Sequence, residues 1–327
     1  MKPALVVTEI VKRFGNHVAV DGISFEVPRG CVYGILGPNG AGKTTTLRMI
    51  NDIIAPDAGE IAILDGLRPG RDAAVQIGYL PEERGMYPKM RVIEMISFMG
   101  ELRGLRVPEA KLRAGKWLER LGLSQWAKNK VSDLSKGMAQ KVQFATAMIH
   151  EPALLILDEP WSGLDPINAE VLRDVVDEIR ASGRTVLFST HQMEQAEKLC
   201  DSVCIIARGK KVLDGKLADI KRASAAEGLV ALGFADDASH QAAATTLADT
   251  ALVAERHEPR HGDALTGACE IKLANGVAPQ QLLAALVGAG VAITRFEVVV
   301  PTLHQIFVAK VGASGAVAER RPEDSHA

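Results

Sequence analysis

The sequence lacks long hydrophobic runs, and this absence excludes one large class of proteins. No stretch of the 327 residues reaches the roughly 18 uninterrupted apolar residues that a membrane-spanning helix needs. Short apolar runs such as Ala153–Leu157 have the length of a strand. The N-terminus has no charged segment followed by an apolar core, so it does not predict a secretory signal.

An excess of charge of one sign is also absent. The chain has 38 Lys plus Arg against 40 Asp plus Glu, a net charge of -2. Proteins that work mainly on nucleic acid usually carry a basic excess, so nucleic acid is not predicted as a partner. The four cysteines match no zinc spacing, and a chain of this length needs no disulfides. Cys200 and Cys204 have apolar neighbours and are predicted to be buried thiols in a reducing, cytoplasmic compartment.

The length predicts two domains at about 150 residues per domain. Residues 1–222 alternate strand-like and helix-like segments. Val32–Gly37, Ala153–Asp158 and Thr185–Thr190 are continuous apolar runs, which are typical of strands buried on both faces of a parallel sheet. The pattern between residues 90 and 150 is helical, so a helical insertion is predicted within an α/β domain.

A second domain is predicted over residues 223–311, after a linker-like stretch of small and polar residues. Its pattern is βαββαβ, which is the ferredoxin-like arrangement. The predicted elements are strand Leu229–Phe234, helix Ser239–Ala248, strand Ala251–Arg256, strand Cys269–Ala274, helix Pro279–Gly288 and strand Ala292–Val300, with a last helix over Thr302–Val311. Residues 312–327 are predicted to be a disordered tail.

The segment Gly37–Thr44, GPNGAGKT, matches the phosphate-loop pattern G-x-x-x-x-G-K-[ST] between a strand and a helix. The glycines let backbone N–H groups face phosphate oxygens, and the helix N-terminus adds its positive end. Lys43 is predicted to reach the β- and γ-phosphates, and the Thr44 hydroxyl to bind Mg²⁺. The phosphate-binding residues are predicted to be Asn39, Gly40, Ala41, Gly42, Lys43, Thr44 and Thr45.

A second motif, LLILDEP at Leu154–Pro160, is a hydrophobic strand that ends in two acids. Asp158 is predicted to hold Mg²⁺ beside Thr44. The adjacent Glu159 is predicted to polarise a water for attack on the γ-phosphate. Paired acids at a strand end are otherwise common as capping residues, and the upstream phosphate loop favours catalysis.

Between and after these motifs stand LSKGMAQK (Leu134–Lys141), SGLD (Ser162–Asp165) and His191. In this order, the set resembles the nucleotide-binding subunit of ATP-binding cassette (ABC) transporters over about residues 5–221. The resemblance implies a P-loop NTPase cassette with a helical signature subdomain, and ATP and Mg²⁺ as cofactors.

The resemblance also implies that two cassettes face each other head to tail, as a homodimer or a pseudo-dimer. Ser135, Lys136 and Gly137 then contact the ATP of the other cassette, and Asp165 links the two sites. His191 contacts the γ-phosphate and the attacking water. Phe14 stacks on adenine, with Val20 beside it.

Three positions depart from the family pattern. Glu82 stands where the family has a glutamine that senses Mg²⁺ and the attacking water, so Glu82 is a candidate catalytic residue and Mg²⁺ ligand. Lys136 replaces a glycine, and Met138 replaces the usual glutamine. Our hypothesis is that Lys136 brings a cation towards the partner's γ-phosphate and balances the extra negative charge of Glu82.

These departures, together with the C-terminal extension, resemble a bacterial subgroup of exporter ATPases that includes sodium-efflux-type subunits. The resemblance implies a separately encoded transmembrane permease, which docks near residues 83–90, and a peripheral position on the cytoplasmic face of the membrane. Two alternatives stay open: a soluble ABC-type ATPase, and one regulated by a C-terminal sensor domain. The single cassette without long coiled coils disfavours the DNA-repair and ribosome-associated types.

Overall fold

The computed structural model of the protein describes residues 2–83, 85–225, 228–257 and 269–313. These residues divide into two compact units, one up to Leu217 and one over Ala218–Gly312. The division lies a few residues before the predicted boundary at 222/223, and helix Leu217–Ala225 runs into residues 223–225, where a linker was expected. The predicted tail beyond residue 313 lies outside the described residues.

The first unit is an α/β structure. In chain order its elements are β1 (Leu5–Phe14), β2 (His17–Val27), β3 (Val32–Leu36), α1 (Lys43–Ile50), β4 (Ala58–Ile63), α2 (Arg71–Ala74), β5 (Ile77–Leu80), α3 (Val92–Leu102), α4 (Val107–Arg120), α5 (Lys136–Met148), β6 (Leu154–Asp158), α6 (Pro166–Ala181), β7 (Thr185–Thr190), α7 (Met193–Leu199), β8 (Ser202–Ala207) and β9 (Lys210–Lys216).

The central sheet of this unit has the strand order β5-β6-β7-β3-β8-β9. All neighbours pair in parallel except β8 and β9, which are antiparallel. Every residue of β3, β6 and β7 is buried, as continuous apolar runs predict for strands covered on both faces. The predicted parallel sheet, and the helices α3–α5 inserted between β5 and β6, are confirmed.

A second, antiparallel sheet of order β2-β1-β4 packs with the central sheet around α1. One buried cluster joins side chains from all three of its strands with side chains of α1, β3 and β6; among them are Leu5, Ile23, Ile35, Leu47, Ile63 and Ile156. This core holds α1, and with it the glycine-rich turn that precedes α1, at the carboxyl end of β3. Because β3, β5, β6 and β7 are parallel, their carboxyl ends share that edge of the sheet.

The second unit is an antiparallel sheet with its own helices. Its elements are α8 (Leu217–Ala225), β10 (Leu229–Phe234), α9 (Asp237–Leu247), β11 (Val253–His257), β12 (Cys269–Leu273), α10 (Pro279–Gly288), β13 (Ile293–Val298) and α11 (Leu303–Ala313). The strand order β11-β12-β10-β13 is that of the ferredoxin-like fold, so this prediction is confirmed. A separate core cluster includes Val230, Leu232, Ile271, Leu282 and Leu286.

Several predicted boundaries in this unit were wrong by a few residues, and local hydrogen bonds explain the shifts. The Asp236 carboxylate accepts the Ser239 N–H at 2.7 Å, so α9 begins earlier than predicted. The Asp249 carboxylate accepts the Ala251 N–H at 2.9 Å and keeps Ala251 in a turn before β11. Helix α11 continues through Gly312, since a single glycine costs a helix only about 1 kcal/mol.

Candidate nucleotide site

The turn between β3 and α1 needs glycine at two positions. Gly37 and Gly42 have φ angles of 153° and 105°, which side chains rarely adopt. A Cβ on Gly37 would collide with the Ile206 carbonyl oxygen. A Cβ on Gly42 would lie 2.5 Å from the Ala19 carbonyl oxygen, which is also too close. The loop therefore lies directly on the backbone of β2 and β8, and its curl is set by close packing.

Helix α1 begins at Lys43, and its first N–H groups have no acceptor inside the helix. The Lys43 side chain is 6% exposed. Its Nζ donates to the carbonyl oxygens of Gly37 at 2.9 Å and Pro38 at 3.2 Å. The same Nζ lies 3.6 Å from Glu159 Oε1. A buried ammonium group beside free helix N–H groups is suited to a phosphate anion.

Asp158, the last residue of β6, is paired with Ser189 of β7 in the sheet register. Its Oδ1 accepts hydrogen bonds from the hydroxyls of Thr44, at 3.2 Å, and Ser189. Burial raises the pKa of Asp158, and the bonds from Ser189 and Thr44 oppose that rise. Within the described chain, Asp158 Oδ2 is buried and has no hydrogen-bond partner.

These groups fit Mg²⁺, which binds through a few protein oxygens together with phosphate oxygens and water. Thr44 supplies a hydroxyl and Asp158 an unpaired carboxylate oxygen. Nowhere in the described ranges do three or more His, Cys, Asp or Glu side chains form a group that could hold a metal by themselves. Phosphate and water oxygens would have to complete the ligand set of such an ion.

Glu159 follows the strand in a left-handed conformation, with φ 48°. Its side chain is 7% exposed although it is an acid. The Glu159 carboxylate accepts the backbone N–H of His191 at 3.0 Å and contacts the His191 ring Nδ1 at 2.9 Å. The Thr190 hydroxyl donates to its second oxygen at 3.2 Å. These contacts hold the carboxylate of Glu159 in one orientation beside Lys43.

A cavity of about 570 Å³ lies over this edge of the sheet. It is lined by most of the predicted site residues: Phe14, Asn39, Gly40, Ala41, Gly42, Lys43, Thr44, Thr45, Glu82, Glu159 and His191. Phe14, at the end of β1, is 51% exposed. Glu82 follows β5 and is exposed. The residues at the ends of four parallel strands are thus gathered in one cavity.

The predicted signature residues lie elsewhere and form a second group. Ser135 caps α5, and its hydroxyl accepts the Met138 N–H at 3.3 Å. Asp165 caps α6 and accepts the Asn168 N–H at 3.0 Å, which lowers the pKa of Asp165. A side chain on Gly163 would collide with Lys136, and Gly137 faces Leu164. Ser135, Lys136, Gly137 and Asp165 are not among the residues that line the cavity in the described structure.

Sequence reasoning missed three cavity residues, namely His17, Ala19 and Ser162. His17 could have been found from the β1–β2 hairpin, because it pairs directly with Phe14 in the register. Ser162 follows Glu159 closely in sequence, whereas Ala19 carries no chemical signal. Val20, which was expected beside Phe14, is fully buried in the core, and the neighbouring Ala19 lines the cavity instead.

The comparisons with known proteins identify the family. The model of the ABC transporter family matches residues 20–162. A relative from Bacillus subtilis, the ABC transporter ATP-binding protein YhaQ, is 40% identical over 313 residues, covering 94% of this chain and 99% of YhaQ. The chain belongs to the ABC transporter ATP-binding proteins. The resemblance drawn from the motifs is therefore confirmed.

Other similarities of this ABC transporter ATP-binding protein reach beyond the residues matched by the ABC transporter model. Residues 215–311 match the C-terminal domain of ATP-binding proteins like DrrA1-3. The linearmycin resistance ATP-binding protein LnrL of Bacillus subtilis is 38% identical over 64% of this chain and 68% of LnrL. The Nod factor export ATP-binding protein I of Ralstonia nicotianae is 40% identical over 65% of this chain and 67% of that protein.

A solved structure supports the fold of the cassette. The ATP-binding subunit of an ABC transporter superposes with a TM-score of 0.63 at 32% identity, over 68% of this chain and 93% of that one. Among the described residues of this ABC protein, no helix is long and apolar enough to cross a membrane.

Proposed function

We propose that the protein is the ATP-hydrolysing subunit of an ABC transporter and that it drives a separately encoded membrane permease. The convergence of Lys43, Thr44, Asp158, Glu159 and His191 at one sheet edge carries this proposal. The family is ATP-binding, and these side chains are of the types that phosphoryl transfer to water requires.

Different residues of the cavity bind the phosphates, hold the metal ion and activate the water. The Lys43 ammonium and the N–H groups at the start of α1 hold the β- and γ-phosphates. Thr44 and Asp158, with Glu82 nearby, would hold Mg²⁺, which would neutralise phosphate charge. Glu159 orients a water and accepts its proton, and the His191 ring keeps Glu159 aligned and contacts the γ-phosphate.

The separate signature group supports an arrangement of two cassettes. Ser135 and Lys136 are exposed at the N-terminus of α5, outside the cavity of their own chain. A second cassette in head-to-tail orientation places them over the opposite ATP, with Asp165 between the two sites. ATP then joins the cassettes, and hydrolysis releases them.

The names of two relatives favour export over import, since they are a resistance protein and an export protein.

Residues 85–90 follow Glu82 and offer a surface for a permease. Tyr87 is 53% exposed and packs edge-on against Phe98 of α3, with 6.0 Å between ring centroids. A permease bound there places the protein on the cytoplasmic face of the membrane, and links the cavity to the permease through Glu82.

Trapping the ATP-bound dimer tests this proposal. Glu159→Gln keeps the shape of the side chain but cannot accept a proton, so we expect the variant to bind ATP and to accumulate as a dimer in light scattering. The wild-type protein should be dimeric only transiently under the same conditions. If Glu159→Gln binds ATP and stays monomeric at every protein concentration tested, the head-to-tail arrangement is contradicted.

A further inference from the structure

The aromatic ring that lines the cavity has a cation beside it. Lys12 and Phe14 are two residues apart on β1, so their side chains leave the same face of the sheet. The Lys12 Nζ lies 5.8 Å from the centroid of the Phe14 ring, within the range of a cation–π interaction. Phe14 lines the cavity and Lys12 does not, as far as the described residues show. The Phe14 ring therefore lies between the ammonium group of a residue outside the cavity lining and the cavity itself.

Lys12 is held firmly for a surface lysine. Its Nζ donates to Asp57 Oδ1 and to the Ala55 carbonyl oxygen, both at 2.8 Å, and its side chain is 16% exposed. The other oxygen of Asp57 accepts the backbone N–H of Arg13 at 2.7 Å, and the Asp57 N–H donates to the Val11 carbonyl at 2.8 Å. Asp57 thus fixes the strand on both sides of Lys12 as well as its ammonium group.

We propose that Lys12, held by Asp57, is a positioning residue that fixes the Phe14 ring for stacking against the base of the nucleotide. This inference rests on the proposed function, because it takes the cavity to be the nucleotide site. A ring that is 51% exposed can otherwise adopt several rotamers, and ordering it would reduce the affinity for the base. The ammonium group prevents that loss by holding the ring before the nucleotide arrives.

If the Lys12–Asp57 ion pair only stabilises the fold, the expected binding results are different. An ion pair at the surface contributes little to stability, and its loss would affect every ligand of the cavity equally or none at all. If Lys12 positions Phe14, the loss of Lys12 should lower the affinity only for ligands that carry a base. Tripolyphosphate, which has the three phosphates and no base, separates the two possibilities.

The experiment is calorimetric titration of the full chain with Mg-ATP and with Mg-tripolyphosphate. Lys12→Met removes the ammonium group and keeps the length of the side chain. We expect it to weaken ATP binding about two- to fivefold and to leave tripolyphosphate binding unchanged. In the Phe14→Ala background, Lys12→Met should have no further effect, because the two residues act through one contact. Lys12→Arg should restore the affinity.

Two further variants complete the design. Asp57→Asn loosens Lys12 without removing it and should show a smaller loss of the same selectivity, which keeps the test valid if Lys12→Met unfolds. Lys272→Met, in the second unit, breaks a comparable surface pair with Glu255 and should change neither titration.

Equal loss of ATP and tripolyphosphate affinity in Lys12→Met would overturn the proposal, and so would additive effects of Lys12→Met and Phe14→Ala. Tighter ATP binding by Lys12→Met would also overturn it, since the lysine would then be covering the ring. A wild-type protein that binds neither ligand would contradict the proposed function itself.

Discussion

At the scale of single residues, the cavity is organised by side chains that hold the reacting groups in place. Asp158 is the clearest case, because burial raises its pKa while the Ser189 hydroxyl stabilises its charged form. Ser189 also lies 3.2 Å from the backbone N–H of Glu159. One hydroxyl on β7 therefore supports both acids at the carboxyl end of β6.

Replacing Ser189 with alanine tests that support. Without the hydroxyl, the pKa of Asp158 rises further, so the carboxyl group is protonated at higher pH. We expect the acid limb of the ATPase pH profile to shift to higher pH, and the Mg²⁺ concentration for half-maximal activity to rise about tenfold. Ser97→Ala, which removes a buried hydroxyl from α3, should leave both quantities unchanged. An unshifted acid limb in Ser189→Ala would contradict this role.

Much of the site could be predicted at this scale because each motif carries its own chemistry. The glycines, Lys43, Thr44, Asp158 and Glu159 were predicted from residue type, spacing and strand ends alone. His17 could not be found in that way, because it belongs to no motif and its register opposite Phe14 brings it to the cavity. Ser162 belongs to the SGLD motif, but its residue type alone did not mark it as a cavity residue.

At the scale of elements, the turn before α1 depends on the absence of side chains, whereas the surface of α4 does not. Gly42 has φ 105° and lies against the Ala19 carbonyl. Gly115 lies within α4, and a Cβ there would meet nothing within 4 Å. Replacement by alanine should therefore disturb the turn at Gly42 and be tolerated in the helix at Gly115.

Gly42→Ala should abolish ATP binding, because the loop must move away from β2 to make room. Gly115→Ala should leave ATP binding unchanged and raise the free energy of unfolding by about 0.5–1 kcal/mol, since alanine is the better helix former. Calorimetric titration and urea denaturation measure the two quantities. Wild-type ATP affinity in Gly42→Ala would contradict the account of the turn.

Element types were predicted well and element ends less well. The strands β3, β6 and β7 were clear from unbroken apolar runs, and α10 from its periodic apolar residues. The ends of α9 and β11 depend on the side chains of Asp236 and Asp249, whose hydrogen bonds compete with the apolar pattern. The end of α8 falls in a stretch that was expected to be a linker, because its last residues, 223–225, are small.

At the scale of the whole molecule, two units have separate cores, and this separation is testable. Leu282 is fully buried in the core of the second unit. Leu282→Ala should destabilise that unit by about 2–5 kcal/mol and leave ATP binding by the first unit unchanged. Thermal unfolding and calorimetric titration measure the two effects. Loss of ATP affinity in proportion to the loss of stability would show that the units do not act separately.

The proposed pairing of cassettes gives Lys136 a role that its own chain does not explain. Lys136 is exposed in the first turn of α5, where a cation opposes the helix dipole, and within the described ranges no acid pairs with it. In the Glu159→Gln background, we expect Lys136→Glu to abolish the ATP-dependent dimer by adding a negative charge beside the partner's γ-phosphate. ATP binding to the monomer should persist.

Lys111→Glu, on the exposed surface of α4, is the matched control and should leave the dimer intact. Light scattering with and without ATP reports both results. A stable dimer in the Lys136→Glu variant would place Lys136 away from the opposite phosphate site.

We expect this chain to hydrolyse ATP through a water activated by Glu159. The most direct test is the steady-state release of phosphate by the purified wild-type protein and by Glu159→Gln, each with saturating Mg-ATP. We expect Mg²⁺-dependent turnover by the wild-type protein and a loss of at least about 100-fold in the variant, with ATP affinity retained. Phosphate release by Glu159→Gln at the wild-type rate would contradict the account.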